Sequence, residues 1–297
     1  MKNVSKRKRL MAAVSVILFL IIAISHKDVT VAGHYTPYSA YDKYAKFGGG
    51  LAASGQISGV GYTTEVYDAS NGLPTSDAMY IMGASDGSVW MGGYSGVIKY
   101  DGSVFERMDA TKGLTSARVI FEDSTGRIWV GTNDNGVVLI DGEESTHFTY
   151  KDGLPSSSIR IFEEDKKGNI FIGTTAGVCY IDAKNQIHEL QNSFVSGERV
   201  LKLDADPNGL IFGQTGNGII FSILDCKITK TYASSDLNIS KITTLLADPE
   251  KPGKLYIGTE GGYVYYGDFG SRVLNLERIR VSPIDEVHWL SYDCGRV

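Results

Sequence analysis

Gly113-Leu-Thr-Ser-Ala-Arg-Val-Ile-Phe-Glu-Asp-Ser-Thr-Gly-Arg-Ile-Trp-Val-Gly-Thr132 contains two short strand-like runs, Arg118–Glu122 and Arg127–Gly131. Both are rich in β-branched and aromatic residues, and Asp123-Ser-Thr-Gly126 turns the chain between them. Two more such runs follow, Gly136–Ile140 and Ser145–Tyr150, with glycine again at the tight connection. Four short strands and no helical stretch thus fill one span of about forty residues.

The same pattern recurs on both sides. Turns ending in Gly-Leu stand at Asn71-Gly-Leu-Pro74, Lys112-Gly-Leu-Thr115 and Asp152-Gly-Leu-Pro155, with weaker copies near Gly197 and Leu237. Apolar runs ending in glycine stand at Val-Trp90-Met-Gly92, Ile-Trp129-Val-Gly131, Ile-Phe171-Ile-Gly173, Leu-Ile211-Phe-Gly213 and Leu-Tyr256-Ile-Gly258. Their glycines lie 39, 42, 40 and 45 residues apart. On this alignment Trp90, Trp129, Phe171, Ile211 and Tyr256 form one large apolar packing column. A β-sandwich does not repeat its sequence at a fixed period, whereas a propeller repeats one four-stranded blade. The fold expected is all-β, a propeller over residues 62–297, with repeats near 73–113, 114–153, 154–197, 198–237, 238–282 and a partial one at 283–297. Tyr62–Tyr67 reads as the outermost strand of a last blade and Ile284–Ser291 as a single inner strand. Five full blades in an incomplete ring follow from this.

Gly-Leu-Pro-x-x-x-(Val/Ile), then Glu-Asp-x-x-Gly-x-(Ile/Val)-Trp-(Val/Ile)-Gly-Thr, resembles the two-component regulator propeller repeat. Gly113–Thr132 matches best, and Gly153–Thr174 follows with Phe171 in place of tryptophan. The resemblance implies an extracytoplasmic, ligand-sensing propeller of a bacterial signalling receptor. In that family the propeller joins a transmembrane segment and a cytoplasmic histidine kinase or diguanylate cyclase. No second span and no kinase or cyclase motif is present here, so the output domain is expected to be missing from this chain. Small molecules or oligosaccharides are the partners such a sensor implies, and the full receptor is compatible with a dimer. A surface scaffold for protein interaction is the alternative, and a carbohydrate-active enzyme a third reading.

The N-terminus reads as an address. Met1–Arg9 is basic and Leu10–Ser25 almost wholly apolar, the pattern of an export signal. Sixteen helical residues cover roughly 24 Å, short of a ~30 Å hydrocarbon core. Residues 1–25 are therefore expected to be a signal peptide or signal anchor, and the rest of the chain to lie on the extracytoplasmic side of the membrane. Residues 26–61, rich in Gly, Ala, Ser and Tyr, read as a flexible linker. Lys46–Gly55 lacks the Gly-Lys-Ser/Thr ending of a phosphate loop.

Five of the 29 basic residues stand before Leu10; the remainder gives 24 against 34 acidic residues, a net charge of −10. An acidic body without a basic patch argues against nucleic acid. Cys179, Cys226 and Cys294 lack metal-ligand spacing and read as small buried apolar residues, and the five histidines are scattered. No metal or cofactor is expected. The carboxylates Glu122, Asp123, Glu163, Glu164 and Asp165 recur at turns; Glu163-Glu164-Asp165 reads as a solvated turn, undifferentiated for acid–base work. Neither a nucleophile elbow nor a zinc-binding helix is present, so no catalytic centre and no enzyme is expected.

Alternating turns place the Gly-Leu-Pro loops and the loops after each Trp-x-Gly on one face, and the Asp-Gly hairpins on the other. The first face gathers Tyr94, Arg118, Asn133, Asp134, Arg160 and Arg199, with Asp77. Polar loops on a rigid ring are the natural place for recognition, and the arginines suit a polar or anionic ligand such as an acidic sugar. By their distance from the preceding glycine, the three arginines do not share one repeat position.

Overall fold

The computed structural model describes residues 67–68, 72–75, 77–270, 275–280 and 286–291. The export segment, the linker, most of Tyr62–Tyr67 and the residues after Ser291 lie outside these. Among the described residues no helix is long and apolar enough to cross a membrane.

Twenty strands form five four-stranded antiparallel sheets, each ordered as in the sequence. Blade 1 holds β1 (Tyr80–Gly83), β2 (Val89–Gly93), β3 (Gly96–Tyr100) and β4 (Phe105–Arg107). Blade 2 holds β5 (Ala117–Glu122), β6 (Ile128–Thr132), β7 (Val137–Asp141) and β8 (Glu144–Phe148). Blade 3 holds β9 (Ile159–Glu164), β10 (Ile170–Thr174), β11 (Gly177–Ile181) and β12 (Ile187–Glu189). Blade 4 holds β13 (Val200–Ala205), β14 (Ile211–Thr215), β15 (Ile219–Leu224) and β16 (Lys227–Ala233). Blade 5 holds β17 (Ile242–Ala247), β18 (Lys254–Thr259), β19 (Tyr263–Asp268) and β20 (Leu276–Arg280).

Sheets that are apolar on both faces stack side by side, and the core lies between them. One apolar cluster joins blades 1 and 2 around Trp90, Leu114 and Ile120; another joins blades 2 and 3 around Trp129, Leu154 and Ile159. Phe171, Val195 and Phe221 fill the next seam, and Phe212, Leu245 and Ile257 the one after. The leucine of each Gly-Leu turn is a plug: Leu73, Leu114 and Leu154 are all buried.

In blades 2 to 5 the hairpin between the first two strands is built on an aspartate, where blade 1 has Ala84. Asp123 Oδ1 accepts from the Thr125 and Arg127 N–H groups, each at 3.0 Å, and its Oδ2 from Trp129 Nε1 at 2.8 Å. Burial opposes the charge, but these bonds hold Asp123 below the usual carboxylate range. Asp165 and Asp206 cap their hairpins in the same way.

The fourth repeat corrects the expected alignment by one residue. Asp206 N–H donates to Leu210 O as Asp123 N–H donates to Arg127 O, so Phe212, not Ile211, fills the tryptophan column. Gly213 then stands at the place of Val130, and Gln214 at the place of Gly131. The exchange conserves volume. The Phe221 ring of β15 occupies the space over Gly213, where blade 2 pairs Val130 with Val138. In the other blades the glycine is required by close packing: a Cβ on Gly173 would sit 2.6 Å from Ile161 Cγ2 and 2.7 Å from Val200 Cγ1.

Other expectations also change. Glu163 and Glu164 belong to β9 rather than a turn, because the hairpin starts only at Asp165. Cys226 is half-buried in the β15–β16 turn at φ 56°, whereas Cys179 is fully buried. The described residues 286–291 form no strand, yet Val287 takes the place of Ile159 and Val200. It packs where a Cβ on Gly258 would project, and its carbonyl accepts from Thr243 Oγ1. Tyr67 packs on Tyr100 and Phe105 of blade 1, with ring centroids 5.7 and 5.1 Å away.

Candidate functional site

Each blade sends two elements to the face of the Gly-Leu turns: the start of its inner strand and the loop between its second and third strands. A buried threonine holds that loop in blades 2 to 5. Thr132 Oγ1 donates to Gly136 O at 2.9 Å, Thr174 to Gly177 O at 2.9 Å, Thr215 to Ile219 O at 3.2 Å and Thr259 to Tyr263 O at 3.0 Å. The loop's next N–H then donates to the start of the inner strand: Asn133 to Ser116 O, Thr175 to Ser158 O, Gly216 to Arg199 O and Glu260 to Lys241 O. In blade 1 the Tyr94 N–H donates instead to Asp77 Oδ2 at 2.9 Å.

In blades 2 to 5 one residue is extruded from the inner strand beside this loop. The pairing register skips Arg118 between Ala117 and Val119, Arg160 between Ile159 and Ile161, Leu201 between Val200 and Lys202, and Thr243 between Ile242 and Thr244. A bulge in a strand re-aims its side chain. Arg118 and Arg160 therefore do share one repeat position, contrary to the count from the glycines. Arg199 comes from a different position, the one before the first paired residue.

The structure brings most of the expected residues together. Arg160 Nη1 donates to Asn133 Oδ1 at 3.0 Å, across the seam between blades 2 and 3. Burial lowers the Arg160 pKa, and the nearby charges of Arg118 and Arg199 lower it further. The last two side chains are exposed and make no hydrogen bond or ion pair among the described residues. The neighbouring blade shows the contrast: Lys241 and Glu260, at the positions of Arg199 and Gly216, form a 2.6 Å ion pair. Tyr94, 66% exposed, and Asp134, also exposed, lie on the same face but make no contact with the arginines.

A second polar group lies further along the same inner strands. Glu163, Lys202 and Asp204 stand where blade 2 has Phe121, Val119 and Phe121 respectively. Asp204 Oδ2 accepts from the Ala247 N–H at 2.7 Å and so bridges blades 4 and 5. Burial, with Asp204 nearby, pushes the Glu163 carboxyl up to about 8. Burial also raises Asp204 to about 6 and lowers Lys202 to about 8. These carboxylates are thus differentiated by environment, against the sequence expectation. A charge in a column otherwise filled by Met82, Phe121 and Leu246 was the available signal.

Among the described residues no group of three His, Cys, Asp or Glu is placed to hold a metal ion.

Known proteins place this geometry. The family model described as two component regulator propeller matches residues 113–134 and 153–176. No curated protein matches the sequence. Among solved structures, the extracellular domain of hybrid two component system BT4673 from B. thetaiotaomicron superposes with a TM-score of 0.57 at 16% identity, over 70% of this chain and 30% of that one. The corresponding domain of BT3049 gives 0.56 at 20% identity, over 70% of this chain and 29% of that one. Virginiamycin B lyase from Staphylococcus aureus gives 0.59 at 14% identity, over 77% of each chain. The chain thus spans under a third of the two extracellular domains, and all three likenesses are of fold. The chain has a β-propeller fold, and segments of its second and third blades match the two component regulator propeller model.

Proposed function

We propose that this chain is the ligand-sensing propeller of an extracytoplasmic bacterial receptor, and that it takes a polar anionic ligand, such as an acidic oligosaccharide, on the face of the Gly-Leu turns. The observation that carries the reading is the arginine group. Arg118, Arg160 and Arg199 come from three successive blades, Arg160 feels the charge of the other two, and no carboxylate among the described residues pairs with any of them. Like charges held together by a rigid scaffold raise one another's cost until an anion neutralises them. Guanidinium groups bind carboxylate or sulfate in a bidentate fork. Asn133, held by Arg160, and Tyr94, an exposed ring, add a polar contact and a surface for a sugar face. Export by residues 1–25 and a downstream output domain belong to the same proposal. The lyase and scaffold readings have no comparable cluster to support them.

Calorimetric titration with trigalacturonate tests it. Arg118→Ala and Arg160→Ala are each expected to weaken binding about tenfold or more, as loss of a hydrogen bond to a charged group does. Lys167→Ala, in an exposed ion pair on the opposite face, leaves it unchanged. Equal loss from both faces would rule the rim out.

A further inference from the structure

The seam between blades 4 and 5 is polar where its counterparts are apolar. Lys202 of β13 lies directly across from Gln214 of β14, so both side chains share the sheet face turned toward blade 5. The corresponding pair in blade 2 is Val119 and Gly131, and in blade 3 Ile161 and Gly173. Gln214 is 1% exposed; its Nε2 donates to Ile242 O at 3.1 Å, but its Oε1 has no hydrogen-bond partner. A buried acceptor without a donor costs free energy and calls for an explanation. The half-buried Lys202 ammonium likewise makes no hydrogen bond or ion pair among the described residues; it rests 3.3 Å from the centre of the Trp289 ring, which is 66% exposed. Lys202 stands on β13, three residues after Arg199 of the rim.

We infer that Lys202 and Gln214 form an inner subsite for a second sugar unit of the ligand held at the arginine rim, with Trp289 as its aromatic wall. Lys202 donates to a carboxylate of that unit, Gln214 Oε1 accepts from one of its hydroxyls, and the Trp289 ring packs on its apolar face. The ligand class is then an acidic saccharide of at least two units, with anionic groups at both. Burial already lowers Lys202, while Asp204 on its own strand opposes that shift. A carboxylate placed beside the ammonium relieves its desolvation.

This inference rests on the rim reading, and the test separates the two. Galacturonate and digalacturonate are titrated calorimetrically into the wild-type chain, Lys202→Met and Arg118→Ala. Lys202→Met keeps the apolar stem, and the melting temperature of each variant is measured beside its titration, which separates lost binding from lost folding. Lys202→Met is expected to weaken digalacturonate about tenfold and leave galacturonate unchanged, whereas Arg118→Ala weakens both. If Arg118→Ala weakens both and Lys202→Met neither, the inner subsite is wrong and the rim stands. If neither compound binds the wild-type chain, both fall.

Discussion

Trp129→Ala is expected to cost about 3–5 kcal/mol, the range for truncating a buried aromatic side chain. For a domain of this size that corresponds to a fall of about 6–20 °C in melting temperature. The ring is 1% exposed, lies parallel to Phe148 at 6.3 Å and packs on Phe162 of blade 3, so its loss opens a cavity between two blades. It also removes the donor to Asp123 Oδ2 in a hairpin whose carboxylate is buried. The cost therefore exceeds that of an apolar truncation alone. Differential scanning calorimetry of the variant checks this, alongside titration with trigalacturonate. An unchanged melting temperature with binding abolished would mean that the ring contacts ligand instead of holding blades.

The second large effect is one of pH. Glu163 is raised by burial and by Asp204 to about 8, from the ordinary glutamate value of 4.5. Between those values the folded state holds a proton that the unfolded state has released, so stability falls as pH rises through the window. Asp204, raised to about 6, acts with the same sign; it is half titrated at that pH, and its contribution fades about one pH unit higher. Lys202, lowered to about 8, has the opposite sign and acts above that value, where stability recovers as the unfolded state alone keeps its proton. Across the interval from pH 6 to 8 Glu163 is thus the largest contributor. Urea midpoints are expected to fall across it for the wild-type chain, by on the order of 2 kcal/mol in unfolding free energy. Glu163→Gln, which stays neutral, is expected to fall much less than the wild-type chain over that interval and to be more stable at pH 8. Parallel curves for the two proteins would show that Glu163 ionises normally.

The residues that make a blade were legible because each does its work locally. Asp123-Ser-Thr-Gly126 closes a hairpin within four residues, the Gly-Leu turns plug the blade edge, and the Trp129 column recurs at a nearly constant spacing. The blade architecture and the two faces followed directly. Properties set by pairing across strands were not legible. That Arg118 and Arg160 are equivalent appears only when the bulge is seen, since counting from Gly113 and Gly153 ignores the residue that the ladder skips. The shift of Phe212 into the tryptophan column was hidden because Gly213 imitates the repeat's glycine, and only Phe221 on the next strand explains why glycine is there. Glu163 looked like a turn residue beside Glu164 and Asp165; its neighbours across the seam, not its neighbours in sequence, make it unlike them. For the rim, the sequence named the loops and the arginines, while the hydrogen bond of Arg160 to Asn133 came from the structure.

Hydrogen exchange with trigalacturonate bound locates the ligand without altering a residue. Protection is expected in peptides covering residues 114–119, 157–161 and 197–202, where the three arginines leave the inner strands. The hairpins at 123–127 and 165–169 on the opposite face are expected to exchange as in the free protein. Protection confined to those hairpins, or spread equally over both faces, would contradict a ligand site at the arginine rim.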